Sequence, residues 1–273
     1  MSEPAQQWEQ AFEKGTVVAM NAYHRIVARV FEPWSHDIVE RLSPRKGWTV
    51  LDIACGPGNV SRLLAAAVGP NGRVLAADIS PSMLAIAAST PSTGAPIEWI
   101  ESPAAPLAVD SGIADGITCQ QGLQFFPDQV AALAEMRRAL AAGSRAIVSV
   151  WTTVEDQDIW GTLHASIAAA WSTDLADRYR GPFSLTGDVA AERARAAGFS
   201  NVELERVTLP VKMEGGAPAL MESLLAAGIG ADYAKLDEEG RAKLLDEITR
   251  RSRHMDRDGV LHGTLTASVL TLS

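Results

Sequence analysis

Between residues 48 and 151, five short β-rich apolar runs are interleaved with helical patterns. Strands joined in that way require right-handed crossovers and a parallel sheet covered on both faces. The first run, WTVLDIAC (48–55), ends at Gly56, Pro57 and Gly58, as a buried parallel strand entering a turn does. A helix is predicted over about 59–68, with Leu63, Leu64 and Ala67 on one face and Gly69-Pro70 ending it. RVLAAD (73–78) is the second strand, followed by a helix with Ser80 as N-cap and Pro81 at its first position. IEWIES, GITCQQGL and RAIVSVW are the third, fourth and fifth strands. Residues 127–143 read as a helix on the spacing of Val130, Leu133, Arg137 and Leu140, with the Arg137 stem partly buried and Gly143 as its stop. LTGDVAAERARAAGF is a helix capped at Thr186 and stopped at Gly198, and NVELERVTL and GTLTASVLTL are two final strands able to pair antiparallel.

The expected fold is α/β: a Rossmann-like, seven-stranded, mostly parallel sheet with the last strand antiparallel, helices on both faces and a helical cap. The 273 residues are read as one domain. Its core is 46–151 with 184–210 and 260–273. The cap comes from 1–45, 152–183 and 211–259, over the carboxyl edge of the sheet, where open parallel sheets bind ligands.

A formal net charge of -9 argues against nucleic acid or an anionic membrane as the main partner. Cys55 and Cys119 form no Cys-x-x-Cys pair, which suits a reducing cytoplasm. The N-terminus lacks a basic segment followed by an apolar run, and no stretch approaches the roughly 20 apolar residues of a membrane span. The expected protein is therefore cytoplasmic and not inserted in a membrane, with a homodimer compatible with the sequence. His24, His36, His164, His254 and His262 show no metal-ligand spacing, so no metal is expected.

DIACGPGN (52–59) poses the chemical question, because glycine turns of this kind often cradle a phosphate. A carboxylate about 5 Å from a phosphate costs about 3 kcal/mol at an effective dielectric near 20. Asp52 would repel such a ligand, but it would attract an ammonium group, leaving the turn amides for a carboxylate. Asp78, about 20 residues past the glycines at the end of the second strand, stands where an acid accepts both hydroxyls of a ribose. An amino acid joined to a nucleoside without phosphate describes S-adenosylmethionine.

The stretch VLDIACGPGN…VLAADISPSMLAIA…ITCQQGLQFFPD…MRRALAAGSRAIVSVW…ARAAGF resembles the small-molecule S-adenosylmethionine-dependent methyltransferases of the Rossmann-like class, in the group similar to quinone-biosynthesis C-methyltransferases. The resemblance runs from about residue 50 to 199. It implies S-adenosylmethionine as cofactor and S-adenosylhomocysteine as product, with Asp52 at the methionine ammonium, directly or through water. By the same resemblance Ala54, Gly56 and Gly58 let the backbone pass close to the cofactor. Cys55, between them, is expected among the residues around the cofactor, as a small packing residue rather than a nucleophile because acids and not bases flank it. Asp78 holds the ribose, Ile79 and Met83 sandwich the adenine, and Gln120 and Gln121 touch the amino-acid part. The usual Asp-Ala pair that reads adenine is absent from ESPAAPL, where Glu101 or Ser102 replaces the acid and Pro103 the alanine. Ala54 stands where the usual motif has its first glycine.

The implied function is methyl transfer in line with the departing sulfur to a small apolar or aromatic molecule. The alternatives are a nicotinamide-dependent oxidoreductase and a protein that binds S-adenosylmethionine without turnover. Asp52 has a plainer reading as a cap of its turn, and Met83 as core filler. Trp151, Trp160, Trp171 and Phe183 serve either packing or an aromatic pocket. Tyr23 and His24, on an N-terminal helix, are candidates to close over the site, with Trp151 as a third substrate residue. The catalytic residue stays unassigned; His24, His164, Tyr23 and Glu155 are the candidate bases, and Arg178 and Arg180 candidate holders of an anionic substrate group.

Overall fold

The computed structural model describes residues 17–273, so the part of the expected cap before residue 17 lies outside the described residues. The sheet consists of β1 (Thr49–Ile53), β2 (Arg73–Asp78), β3 (Ile97–Glu101), β4 (Ala114–Gln120), β5 (Leu140–Trp151), β6 (Val202–Glu214), β7 (Asp256–Arg257) and β8 (Val260–Leu272). Its order is β3-β2-β1-β4-β5-β8-β6. Neighbours from β1 to β5 pair in parallel, and β8 runs antiparallel to β5 and β6. These are the seven expected strands; the two-residue β7 adds an eighth, paired with β8 off the main path.

Alternating residues of each strand feed two apolar layers. Leu51, Ile53, Ile117 and Val148 pack with Leu133, Met136, Ala190 and Ala194, from the helices Gln129–Ala139 and Gly187–Ala196. Val50, Val74 and Ile147 pack on the other face with Trp34, Ile38, Leu42, Leu64 and Val68, from Glu32–Leu42 and Asn59–Val68. The helix Glu32–Leu42 is therefore one of the sheet's covering layers rather than cap. The helices Asp158–Ala170, Thr173–Tyr179, Gly216–Glu222 and Glu238–Ser252 join the same cluster through Leu163, Ile167, Tyr179, Leu220, Leu244 and Ile248. Helix starts follow the local chemistry: Ser80, Asp128 and Thr186 side chains accept from the backbone N–H of Met83, Ala131 and Val189.

Three boundaries differ from the sequence reading. The helix read to Gly143 stops at Ala139, because Leu140 already pairs with Ala114 in the sheet. Its buried stripe is Ala132, Leu133, Met136 and Ala139, while Val130 and Arg137 face solvent. Gly143, at φ +79°, sits in the irregular stretch where β5 shifts register against β4, so it shapes a bulge instead of ending a helix. β6 continues through Pro210 to Glu214, which an edge strand tolerates because one side carries no ladder.

Candidate active site

Strand order reverses between β1 and β4, and the carboxyl ends of those strands open a cavity of about 200 Å³. Ile53, Ala54 and Gly56 from the end of β1, Asp78 and Ile79 from β2, Ser102 and Pro103 after β3, and Gln120 and Gln121 at β4 line it, with Met83 beneath. The strand ends are pinched together: a Cβ on Gly122 would lie 2.6 Å from the Ala54 Cβ. Ala54 and Gln121 hold left-handed backbone at φ 55° and 53°, a conformation that costs a side-chain-bearing residue about 1 kcal/mol.

Asp78 anchors the glycine turn. Its Oδ2 accepts from the Gly56 N–H at 2.8 Å and its Oδ1 from the Ser80 N–H at 2.9 Å. Burial raises its pKa, opposed by these backbone donors. Asp52 lies one layer deeper. Thr118, its register partner on β4, donates to Oδ1 at 2.8 Å, and Ser61, from the following helix, donates to Oδ2 at 2.6 Å. Asp52 lines a side pocket of about 40 Å³ that shares Tyr23, Ala54, Gly56 and Gln120 with the main cavity. Asp52 thus faces the side pocket and not the main cavity, and any approach of a ligand to it, direct or through water, runs through that pocket. Neither carboxylate forms a salt bridge among the described residues, although the Asp52 charge reaches Arg62 and opposes the lowering of its pKa by burial.

Other expectations need correction. Gly58 lines neither cavity: its φ of +81° starts the helix Asn59–Val68, and a Cβ there would meet Trp99 at 2.5 Å, so the close approach it permits is an indole ring's. Cys55 lines only the side pocket, and burial with the two acids raises its thiol pKa well above the usual value. Glu101 is exposed at the sheet's end, leaving Ser102 as the acid's replacement; the Ser102 Oγ is already engaged with Pro103 O and Ala108 N. Gly122, Phe125, Phe126, Pro127 and Asp128 also line the main cavity; the sequence placed them only by their order after the fourth strand.

A second cavity of about 90 Å³ adjoins the first and shares Tyr23, Gln121 and Phe125 with it. Its remaining walls include Phe31, Trp151, Trp160, Tyr179, Pro182 and Phe183, with no charged side chain among the described residues. Trp151 therefore stands at this chamber and not at the main cavity. Trp171 packs against Tyr233 instead. Tyr23 opens a π-helical turn, Tyr23–Val27, and touches all three spaces; burial and the Asp78 carboxylate push its phenol pKa up. His24 lines none of them, and burial with Arg62 and Arg29 lowers its pKa. His164 stacks behind Tyr179, its pKa lowered by burial and Arg180, and Glu155 pairs with Arg180 at 2.6 Å. Arg178 pairs with Asp232 at 3.0 Å, so neither arginine is placed to hold a substrate.

Residues 50–143 match the profile of a family described as a methyltransferase domain. An alignment 186 positions long, covering 62% of this chain and 70% of the other, is 33% identical to the 2-phytyl-1,4-beta-naphthoquinone methyltransferase, chloroplastic, of Arabidopsis thaliana. The chain belongs to the S-adenosylmethionine-dependent methyltransferases. A demethylmenaquinone methyltransferase of Staphylococcus carnosus is 32% identical over 114 residues, and the match spans 47% of that protein. In fold, this methyltransferase is similar to a putative methyltransferase from an antibiotic biosynthesis pathway of Anabaena variabilis, with TM-score 0.59 at 18% identity over 87% of this chain and 96% of that one. No described helix of the methyltransferase is long and apolar enough to cross a membrane.

The cofactor of this family fits what the cavity holds. Among the described residues the two buried acids form no salt bridge, Ile79 and Met83 line the cavity with apolar surface, and Gln120 Oε1 is buried without a partner. A pH dependence follows from Asp52. Its carboxyl is raised from 3.8 to about 6, chiefly by burial and further by Asp78, against the Ser61 and Thr118 hydroxyls. The folded chain thus holds this proton more tightly than the unfolded one, so ligand-free stability is full below the unfolded pKa and falls as pH rises through about 6. The shift corresponds to about 3 kcal/mol. Asp52→Asn is expected to be the more stable protein at about pH 8 and to lose most of the slope between about pH 4 and 6. Urea titrations across that range check it; a variant less stable than wild type at the alkaline end would refute the origin of the shift.

Proposed function

We propose that this methyltransferase transfers a methyl group to a small aromatic molecule seated in the chamber beside the cofactor cavity. The observation that carries the reading is the junction at Tyr23, Gln121 and Phe125, where a cavity flanked by acids meets one walled by aromatic rings. Quinone methyltransferases among the relatives support an acceptor of the naphthoquinone kind. S-adenosylmethionine, when bound, supplies a methyl group already activated on a cationic sulfur.

The chain's own residues orient and shield. Asp78 holds the ribose hydroxyls while fixing the glycine turn, and Ile79 and Met83 clasp the adenine. Asp52 stabilises the ammonium end through the side pocket. Phe31, Trp151, Trp160 and Phe183 exclude water and stack on the acceptor ring, keeping it at near-attack distance. Among the described residues of the chamber no histidine or carboxylate is available as a base, and the raised pKa of Tyr23 keeps its phenol protonated, so the acceptor enters already nucleophilic. The two buried, free cysteines support a reducing, cytoplasmic setting, and the acidic balance supports a partner other than nucleic acid.

Calorimetry should detect S-adenosylhomocysteine binding and none by NADH, and incubation with labelled S-adenosylmethionine should label a reduced naphthoquinone. NADH binding in place of S-adenosylhomocysteine would restore the dehydrogenase reading. Cofactor binding without label in any of a panel of aromatic acceptors would favour a binding protein.

A further inference from the structure

Gln121 is 6% exposed, follows β4 directly, and is held at φ 53° with its N–H donating to Ser149 O at 3.0 Å. Its side chain faces the main cavity and the aromatic chamber together, and neither Nε2 nor Oε1 has a partner among the described residues. A buried amide with both ends unpaired is retained where something else completes it, and a non-glycine residue held left-handed marks a backbone committed to aiming its side chain. Ser223, another polar residue of the chamber, already donates its hydroxyl to Leu220 O at 2.7 Å. On the cofactor side, Gln120 Oε1 is likewise without a partner among the described residues.

Resting on the function proposed above, we infer that Gln121 is a specificity-determining residue for the methyl acceptor, its amide hydrogen-bonding a carbonyl or hydroxyl oxygen on the aromatic ring. An amide is both donor and acceptor, so it pairs with either kind of oxygen. Placed at the junction, that bond orients the ring in the chamber toward the cofactor cavity.

The test measures binding of α-naphthol and of naphthalene to the protein saturated with S-adenosylhomocysteine. Wild type is expected to prefer α-naphthol by about tenfold. Gln121→Leu and Gln121→Met should erase the preference, and Gln121→Asn should restore part of it. A wild type that does not discriminate overturns the inference whatever the variants do. So does a variant that keeps the preference; if its S-adenosylhomocysteine affinity falls at the same time, the amide serves the cofactor instead. Absence of S-adenosylhomocysteine binding to wild type would remove the cofactor reading itself, a failure separate from that of Gln121.

Discussion

Asp78→Ala is expected to weaken S-adenosylhomocysteine binding by about a hundredfold or more. In the proposed function one carboxylate of Asp78 performs two tasks. Its oxygens tie the Gly56 and Ser80 amides to the end of β2, at 2.8 and 2.9 Å, and the same side chain lines the cavity in which the ribose is proposed to sit. Hydrogen bonds to a charged group contribute about 1.5–3 kcal/mol each, and a hundredfold in affinity corresponds to about 2.7 kcal/mol, so loss of the ribose contacts alone reaches the expected size. Loosening of the turn adds to it. Asp78→Asn keeps one acceptor oxygen and should fall between, at about tenfold. Calorimetry on variants shown to be folded by circular dichroism decides the matter. Affinity within about threefold of wild type for Asp78→Ala would end the assignment of the ribose to this residue.

Trp151→Ala should produce the largest loss of stability of any single chamber residue, about 3–5 kcal/mol. The indole is 3% exposed at the end of β5. Its ring centroid lies 5.1 Å from Phe31 and 5.5 Å from Trp34, the latter pair nearly perpendicular, so the side chain closes the apolar layer between sheet and cap. Domains of this kind have a net stability of about 5–15 kcal/mol, which makes the loss a large share of the total. Trp151→Phe should retain most of it. Urea unfolding measures both, and a loss below about 1 kcal/mol for the alanine variant would show that the ring is not a packing element. Because Trp151 lines the chamber and not the main cavity, any variant still folded should bind S-adenosylhomocysteine nearly as wild type does while losing aromatic ligands.

The two expectations differ in how much of them was legible beforehand. Asp78 could be placed from its distance along the chain, because a strand, a glycine turn and a helix force the ends of adjacent parallel strands to one edge. Trp151 could not, since an aromatic residue after a strand is compatible with core or pocket, and here it serves the boundary between them. His24 shows a subtler failure. Consecutive residues of a helix point to different sides of it, so Tyr23 and His24 do not share a face, and only Tyr23 reaches the cavities. The helix read through Leu140 failed because an alanine-rich segment has high helical propensity, which pairing of Leu140 with Ala114 overrode.

Local patterning alone determined the order of strands and helices, the caps at Ser80 and Thr186, the glycine turn and its acids, since each rests on backbone chemistry within a few residues. Tertiary structure alone decided that Asp52 lies behind the cavity on Ser61 and Thr118, that Gly58 makes room for Trp99, and that Gln121 stands between two cavities. Those facts depend on contacts such as the one between Asp52 and Thr118, 66 residues apart, or between the rings of Phe31 and Trp151 at the chamber. Periodicity tells a residue which side of its own element it occupies; what waits on that side is set by how distant elements pack.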